Sequence, residues 1–369
     1  MLTERMRIVS LTYVNSPDFN DPHAWIERLY AFTGVWEELG KQHEVFSIEQ
    51  INYEGDLVHK GVQYYFRRYG KGVSRVPVKL HRLVKQLKPD MVLVRGLIFP
   101  LQVIQLRMKL GRRVRIIVEN HAGKPPKGIR KIFQYLAYNC IDAYHFISSG
   151  TAHQWLASGI IRSRQKCVEV STGSARIIPS DKAESRQQLG MSGQFNFLWV
   201  GNLNRNKDPL TIIAGFEKYL VINPEARLYM IFQTDGLLAE IKKRLKLNEA
   251  LQRSVILKGL VPNNQISPWF SAADFYISGS HSEGGSIALL EAIACGCIPV
   301  VTAIPSSLAA TDYGKYGFHF IPGNVDDLYE QLKRLNTVIV KEFSGSIREY
   351  FREELSFPAI ARKINASLA

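Results

Sequence analysis

Residues 281–299 read HSEGGSIALLEAIACGCIP, and this stretch says more about fold and function than any other part of the chain. The apolar run 274–278 before it predicts a buried strand. Ile287, Leu290 and Ile293 recur after it at the spacing of one helix face. The stretch therefore predicts a strand, a Ser/Gly-rich turn and a helix, the repeating unit of a doubly wound α/β sheet.

The turn of this unit is suited to binding an anion. Gly284 and Gly285 leave backbone N–H groups uncovered at the start of the helix, where the positive end of the helix dipole lies. We therefore expect these glycines, with Ser286 and Ile287, to bind a phosphate. The alternative is an ordinary buried strand–turn–helix without a ligand.

Two carboxylates flank the turn, Glu283 before it and Glu291 two helical turns into the helix. An acid beside an anion site is electrostatically unfavourable, but it is useful if it binds neutral hydroxyl groups, as on a sugar and a ribose. The alternative is a solvated Glu283 and a Glu291 that only belongs to the helix face.

The wider pattern resembles a known family. Glu283 and Glu291 have the spacing E-x7-E and are followed by AIACGCIPVV. This resembles the family 4 (group 1) glycosyltransferases, whose pattern is E-G-F-G-x-x-x-x-E-A-x-A-x-G-x-P-V-V; Gly285 and Ser286 stand where that family has Phe-Gly. The resemblance implies the α/β GT-B architecture: two Rossmann-like doubly wound domains facing a cleft, with a C-terminal helix crossing back to the first domain.

Length and strand–helix alternation fit that architecture. A chain of 369 residues exceeds one ordinary core, and six predicted strands separated by helices fall in each half. We predict an acceptor-binding Rossmann-like domain at 1–178 and a nucleotide-sugar-binding one at 190–345. A polar link joins them, and residues 346–369 form C-terminal helices that return to the first domain.

A second motif, VGNLNRNKDPL at 200–210, predicts a strand, a polar turn and a helix beginning at its proline. Arg205 and Lys207 in the turn could neutralise a diphosphate; the alternative is a solvated loop. The segment resembles the family turn G-R-L-x-x-x-K-G, with Gly201 and Lys207 at matching positions. Asn202 stands at the position of the family arginine, and we expect Arg205 to replace it.

Two further segments resemble family sites. Gly259, Leu260 and Val261 follow a predicted strand and resemble the loop that binds the nucleotide base; an ordinary tight turn is the alternative. His121, at the end of another strand, resembles the histidine that reaches the donor sugar, although a lone histidine there is more often structural.

The implied reaction is retaining transfer of a hexose from a nucleotide-diphosphate sugar to a glycan or lipid-linked acceptor, in cell-surface polysaccharide or glycolipid synthesis. Lys207, Arg205 and the helix N–H groups would stabilise the leaving diphosphate, Glu283 would bind sugar hydroxyls and Glu291 ribose hydroxyls. The resemblance implies no metal and no cofactor. A GT-B-fold epimerase or phosphorylase, and a non-catalytic GT-B-like binding module, are the alternatives. The sequence argues against a dinucleotide dehydrogenase, because no G-x-G-x-x-G follows an early strand.

Charge is concentrated in the first half of the chain. The net charge is +14, of which residues 1–180 carry +13 and residues 181–369 carry +1. Most of the excess lies between 60 and 131, where aromatic residues interleave with the first cations. A solvated basic face and nucleic-acid binding without a recognition motif are alternatives; we favour an anionic membrane surface. The predicted membrane or acceptor patch comprises Arg67, Arg68, Lys71, Arg75 and Lys79, with Tyr64, Tyr65, Phe66 and Tyr69 as the interleaved aromatics.

Four scattered cysteines do not form a disulfide framework and predict thiols in a reducing compartment. The N-terminal residues enter a strand directly and do not resemble a signal peptide. We expect a cytoplasmic protein, peripheral on the inner face of the membrane, with no specific nucleic-acid partner.

Overall fold

The computed structural model describes residues 5–69, 76–121 and 123–367. It divides into two compact units. The first unit contains the residues up to Ser174 and those from Phe357 onward, and the second unit contains Ala175–Ser356. The boundaries differ from the predicted ones: the segment predicted as a polar link and the residues 346–356 both belong to the second unit.

The first unit is built on a mixed sheet of eight strands among the described residues. Its order is β3-β4-β2-β1-β5-β6-β7-β8, and all neighbouring strands are parallel except the antiparallel edge pair β3–β4. The strands are β1 (Arg7–Leu11), β2 (Glu44–Glu49), β3 (Gly55–His59), β4 (Val62–Phe66), β5 (Met91–Arg95), β6 (Arg115–Asn120), β7 (Ala143–Phe146) and β8 (Cys167–Glu169).

Helices cover both faces of this sheet, as in a doubly wound fold. The helices are α1 (Pro22–Arg28), α2 (Tyr30–Gly40), α3 (Val78–Gln86), α4 (Pro100–Leu110), α5 (Ile129–Ala137) and α6 (Ser149–Ala157). Buried side chains of α1 and α2 share one core with the sheet, and those of α3, α4, α5 and α6 share the core on the opposite face.

Six strands were predicted in this half, and β3 and β4 were missed. β4 lies within the basic stretch 60–131, and β3 directly precedes that stretch. Val62, Tyr64 and Phe66 alternate with more exposed neighbours and are buried in the core. Because this two-residue period is that of a half-buried strand, these aromatic residues are sheet residues and do not interleave with cations on a surface.

The second unit carries a fully parallel sheet with the order β11-β10-β9-β12-β13-β14. All six strands predicted in this half are present. They are β9 (Asn196–Gly201), β10 (Arg227–Phe232), β11 (Val255–Gly259), β12 (Phe275–Ser278), β13 (Ile298–Thr302) and β14 (Phe318–Phe320). Since the strands are parallel, their carboxyl ends and the loops that follow them meet at one edge of the sheet.

The helices of the second unit are α7 (Lys182–Leu189), α8 (Pro209–Leu220), α9 (Leu238–Lys246), α10 (Glu249–Ser254), α11 (Ser267–Ala272), α12 (Ile287–Cys295), α13 (Pro305–Ala310), α14 (Val325–Arg334) and α15 (Val340–Tyr350). Helix α7 lies in the predicted polar link. Its polar residues are not linker residues, because Lys182 Nζ and Arg186 bind the buried Asp274 carboxylate at 2.5 and 2.7 Å. These bonds attach α7 to the start of β12.

The last helix, α16 (Phe357–Ala366), belongs to the first unit, as predicted for a C-terminal helix that returns there. Ile360 and Ile364 are buried in the same core as α2. Gly34 in α2 permits this packing, because a Cβ atom there would lie 2.5 Å from the Phe357 ring.

Candidate active site

The loop after β9 is organised by its own polar side chains. Asn204 Oδ1 accepts a hydrogen bond from the Lys207 backbone N–H at 3.0 Å. Asp208 adopts a left-handed backbone conformation (φ 42°) and caps α8 by accepting from the Thr211 N–H at 3.2 Å. Pro209 then occupies the first helical position, where its missing N–H carries no penalty. These local interactions fix the backbone at Lys207.

The loop after β12 lies directly beside it, because β9 and β12 are neighbours in the sheet. The His281 N–H donates to the Asn206 carbonyl at 2.8 Å, and Asn206 Nδ2 donates to the Ser282 carbonyl at 3.1 Å. His281 Nε2 lies 3.0 Å from Asp208 Oδ2. Gly279 permits this close approach, since a Cβ atom there would lie 2.9 Å from the Asp208 carbonyl oxygen.

The two loops bring together the ammonium group of Lys207 and the carboxylate of Glu283. They form a hydrogen-bonded ion pair, with side chains 22% and 16% exposed. Such a pair is partly shielded from water, so its electrostatic interaction is stronger than that of a solvent-exposed pair. The residue predicted to bind the diphosphate, Lys207, and the residue predicted to bind the sugar, Glu283, are thus in direct contact.

Helix α12 begins immediately after Glu283, Gly284 and Gly285. Ser286 caps it by accepting from the Leu289 N–H at 3.4 Å. The first-turn N–H groups of a helix have no intrahelical acceptor, so they are available to an anion at this end. The predicted phosphate-binding turn therefore starts at the ion pair.

Sequence reasoning missed Tyr276, which lies on β12 beneath this turn. Burial raises the pKa of its hydroxyl well above the usual range, and the nearby carboxylates of Glu283 and Glu291 raise the pKa further. The phenol therefore stays neutral and can donate a hydrogen bond. The sequence signal for Tyr276 was its position on β12, the strand that leads directly into the loop with Glu283.

Other predicted nucleotide-binding segments reach the same edge of the sheet. The Leu237 N–H donates to the Leu203 carbonyl at 3.0 Å, which joins the loop after β10 to the loop after β9. Gly259 ends β11 with a positive φ of 71°, and Leu260 is exposed. A glycine is needed there because other residues rarely adopt this conformation.

Asn202 and Arg205 are both exposed in the loop after β9. Arg205 makes no hydrogen bond or ion pair with the described residues, unlike its neighbour Lys207. The structure thus places a second cation in the loop, and its replacement of the family arginine stays a prediction.

In the first unit, His121 follows β6 and is held from two sides. Its Nδ1 lies 3.2 Å from Thr172 Oγ1, and its Nε2 lies 3.4 Å from the buried carboxylate of Glu119. His145, adjacent to Glu119 on β7, is also buried, and this burial lowers the pKa of its imidazole. His121 is the solvent-accessible member of this buried acid–imidazole cluster.

Residues 181–338 match the family model described as glycosyl transferases group 1. All the matched residues lie in the second unit. The match contains the loop after β9, the E-x7-E motif and the Gly259–Val261 segment. The predicted resemblance to the group 1 glycosyltransferases is therefore confirmed for these residues.

Curated relatives match over shorter stretches. Mannosylfructose-phosphate synthase from Agrobacterium fabrum is 29% identical over 150 residues, which is 39% of this chain and 33% of that protein. Alpha-monoglucosyldiacylglycerol synthase from Streptococcus pneumoniae is 29% identical over 187 residues, or 47% of this chain and 42% of that protein. The matched stretches span less than half of either relative.

Solved structures resemble the chain over almost its whole length. Sucrose-phosphate synthase from Thermosynechococcus elongatus has a TM-score of 0.70 at 14% identity, covering 98% of both chains. Anabaena HepE in complex with UDP has a TM-score of 0.73 at 14% identity, covering 98% of this chain and 99% of that one. At this identity the likeness shows the fold, and it confirms the predicted GT-B class.

Three of the five residues of the predicted membrane or acceptor patch lie in the part of the chain that the structure describes. Arg67 forms an ion pair with Asp56 at 2.6 Å and lies over the Tyr65 ring, so its charge is already compensated. Arg68 and Lys79 are exposed. Lys71 and Arg75 lie outside the described residues. With Tyr64 and Phe66 in the core, this strand provides no exposed row of aromatic residues.

No group of three His, Cys, Asp or Glu side chains arranged to hold a metal is present in the described ranges. All four cysteines are thiols, and burial raises the pKa of Cys295 to about 12.

Proposed function

We propose that the chain is a retaining glycosyltransferase that moves a hexose from a nucleoside-diphosphate sugar to a glycan or lipid-linked acceptor. The observation that carries this proposal is the contact between Lys207 and Glu283 at the start of α12. A cation, a carboxylate and a helix N-terminus in one place provide ligands for a diphosphate and for the hydroxyl groups of a sugar.

Lys207 and the first-turn N–H groups of α12 would stabilise the diphosphate as its charge grows during cleavage of the anomeric bond. Such groups act strongly because they are oriented before the reaction begins. In the structure the Lys207 ammonium interacts with Glu283. When the donor binds, the diphosphate would share this ammonium, and the Glu283 carboxylate would become available to sugar hydroxyls.

Glu291 and Tyr276 would complete the donor site. Glu291 is half-buried one residue beyond Leu290 on α12 and would bind the ribose hydroxyls. The neutral Tyr276 phenol is buried on β12 near Glu283 and Glu291, and it would donate a hydrogen bond within the donor site. Gly259, Leu260 and Val261 would bind the base through backbone groups.

His121 would contact the donor sugar, and Glu119 and Thr172 would orient its ring. The Thr172 hydroxyl lies beside one ring nitrogen and the Glu119 carboxylate beside the other, so the imidazole has a polar group on both sides. We assign no nucleophile and no metal to the reaction.

The relatives support the substrate classes. HepE is described in complex with UDP and with UDP-glucose, and another relative is named as a synthase of a glucosylated diacylglycerol. By analogy we propose a UDP-sugar or related donor and an acceptor of cell-surface polysaccharide or glycolipid synthesis. The reaction would take place at the cytoplasmic face of the membrane.

The donor is tested first by thermal unfolding with a panel of nucleoside-diphosphate sugars. A true donor at a hundredfold excess over its Kd should stabilise the protein by about 2.7 kcal/mol. Glu291→Ala should weaken that donor by about 1.5–3 kcal/mol through loss of a charge-assisted hydrogen bond. Glu249→Ala, an exposed glutamate on α10 of the same unit, is the matched control.

The reaction type is tested with the donor so identified. NMR of the product should show the anomeric configuration of the donor retained. Conversion of the sugar without any acceptor would instead identify an epimerase, and a strict requirement for orthophosphate would identify a phosphorylase. Failure of every donor to bind would contradict the proposal.

A further inference from the structure

The solvent-exposed surface of α5 includes an apolar arc. Ile129, Ile132 and Leu136 lie on one side of the helix and are 68%, 58% and 55% exposed. Apolar residues at this spacing normally face the core. The same helix buries Gln134, whose Nε2 donates to the Leu97 carbonyl at 2.7 Å. A surface helix normally directs its apolar residues to the core and its polar residues to water. On α5, isoleucine and leucine side chains face the solvent and a glutamine is buried. The exposed arc is therefore suited to an apolar binding partner.

Cations surround this apolar arc. Residues 97–141 contain nine Lys/Arg and one acidic residue, Glu119, which is only 1% exposed. The charged side chains that this stretch exposes are therefore all basic. The cations nearest to α5 in the chain are Lys124, Lys127, Arg130 and Lys131, all exposed.

The neighbouring helices continue the same surface. Helix α4 packs beside α5 on the same face of the sheet and exposes Leu101 and Met108. Helix α3 packs beside α4 and exposes Val78 next to Lys79. Exposed apolar side chains and cations thus occur together on three adjacent helices, and Lys79 of the predicted patch lies among them.

We propose that the exposed face of α5 docks the first unit on an anionic lipid bilayer. Ile129, Ile132, Tyr135 and Leu136 would enter the boundary between headgroups and acyl chains, and the flanking cations would bind the anionic headgroups. Cations around an apolar strip complement an anionic bilayer, because its headgroups are negatively charged and its interior is apolar. A nucleic acid would satisfy the cations but not the isoleucines.

Among the described helices, none is long and apolar enough to cross a membrane. The docking would involve the same unit as His121, which precedes the start of α5 in the chain. The connecting segment is anchored at Gly123, whose carbonyl accepts from Asn120 Nδ2 at 3.0 Å and from Trp155 Nε1 at 2.9 Å. The inference concerns the first unit alone and does not depend on the proposed transfer reaction.

The test is co-sedimentation of the full chain with phosphatidylcholine vesicles that contain or lack phosphatidylglycerol. The wild-type protein should bind only the anionic vesicles. The triple variant Lys127→Ser/Arg130→Ser/Lys131→Ser should bind on the order of 100-fold more weakly, since each cation near such a surface contributes about 1 kcal/mol. Ile132→Glu/Leu136→Glu should bind at least about tenfold more weakly, because the apolar contact is lost and like charges are added.

Matched controls lie on α9 and at its end. Lys242→Ser/Lys243→Ser/Lys246→Ser removes three exposed cations, and Leu247→Glu alters an apolar residue that is 80% exposed. Both should bind vesicles as the wild-type protein does, and all variants should keep the wild-type midpoint of thermal unfolding within a few degrees.

Three results would overturn the proposal: no binding of the wild-type protein to anionic vesicles at low salt, undiminished binding of Ile132→Glu/Leu136→Glu, or an equal loss in the α9 controls. Sedimentation velocity excludes a different occupant. A wild-type dimer that the Ile132→Glu/Leu136→Glu variant converts to a monomer would show that the α5 face contacts a second copy of the chain.

Discussion

Lys207 and Glu283 form an ion pair although 76 residues separate them in the chain. The pair exists because β9 and β12 are adjacent parallel strands whose following loops share backbone hydrogen bonds. Each residue therefore depends on the other for its orientation, and the pair can be tested as a unit.

Replacement of Lys207 should affect turnover far more than folding. Lys207→Ala should slow transfer by about 10²–10³, the usual loss for one preorganised charge-stabilising group. The effect on stability should stay within about 1 kcal/mol, since the pair is still partly hydrated. Steady-state kinetics and denaturant unfolding measure the two effects separately.

Lys218→Ala is the matched control, because Lys218 also forms an ion pair, with Asp326, but on the helices α8 and α14. It should keep wild-type turnover. In the double variant Lys207→Ala/Glu283→Ala, the increase in activation free energy should be smaller than the sum of the increases in the two single variants, because the two residues interact. Wild-type rates for Lys207→Ala would remove it from the site.

Arg205→Ala tests whether this cation replaces the arginine that is missing at Asn202. Arg205 is exposed in the same loop as Lys207. We expect a drop in kcat with little change in the unfolding midpoint, since the side chain has no ion pair among the described residues to lose. If transfer is unchanged while Lys207→Ala is slow, the diphosphate is held by one cation only. Arg205→Lys should preserve part of the activity if charge is what matters.

Gly279→Ala should separate the two loops. The added Cβ atom would lie 2.9 Å from the Asp208 carbonyl oxygen and 3.3 Å from the Ile212 side chain. Overpacking of this kind typically costs about 1–3 kcal/mol, and it should also lower donor affinity because the Lys207–Glu283 contact is disturbed. Denaturant unfolding and donor titration measure these losses.

The control for that substitution is Gly345→Ala on α15, where a Cβ atom would meet nothing within 4 Å. Alanine there should stabilise the helix by about 0.5–1 kcal/mol, because glycine loses more backbone freedom on folding. Donor affinity should be unchanged. A neutral result at Gly279 would show that the loops can move apart without cost.

His81 should make the first unit sensitive to acid. Burial, and secondarily the charge of Lys109, lowers the pKa of its imidazole to about 4, and its Nε2 lies 2.8 Å from the Tyr13 hydroxyl. The unfolded chain therefore binds more protons than the native protein between about pH 6.5 and 4. Stability should fall as the pH falls through this window, by about 2 kcal/mol between pH 7 and 5 for this group.

His81→Gln can still accept a hydrogen bond from Tyr13, and it should reduce the difference in unfolding free energy between pH 7 and 5 by that amount. His153→Gln, on the exposed surface of α6, should leave the difference as in the wild-type protein. An identical pH dependence for His81→Gln and the wild-type protein would contradict the role of His81.

Much of the second unit could be predicted from local patterns. All six of its strands, and α12 with its start after Gly285, follow from hydrophobic periodicity and turn residues within a few positions of each other. Helix α7 could not be predicted in this way. Its face is polar because Lys182 and Arg186 bind Asp274, which is 92 and 88 residues away from them in the chain.

The first unit shows the limit of reasoning from charge. The stretch around Arg67 was interpreted as a basic surface with aromatic residues, but Tyr64 and Phe66 are core residues of β4. Counting cations does not reveal which of the residues between them are buried. The apolar arc of α5 was not identified either, because Ile129, Ile132 and Leu136 have the spacing of an ordinary core-facing helix.

The sequence by itself determined the fold class, the order of most elements and the loops that carry the candidate site, because each of these depends on residues close together in the chain. Only the tertiary structure decided that Lys207 contacts Glu283, that Tyr276 lies beneath them, and which face of α5 meets water. These features depend on which strands become neighbours and on which side of a helix the core forms. Both are settled by packing between segments that are distant in sequence. The periodicity of a sequence shows that one face of a helix or strand is apolar, but it does not show which segment covers that face.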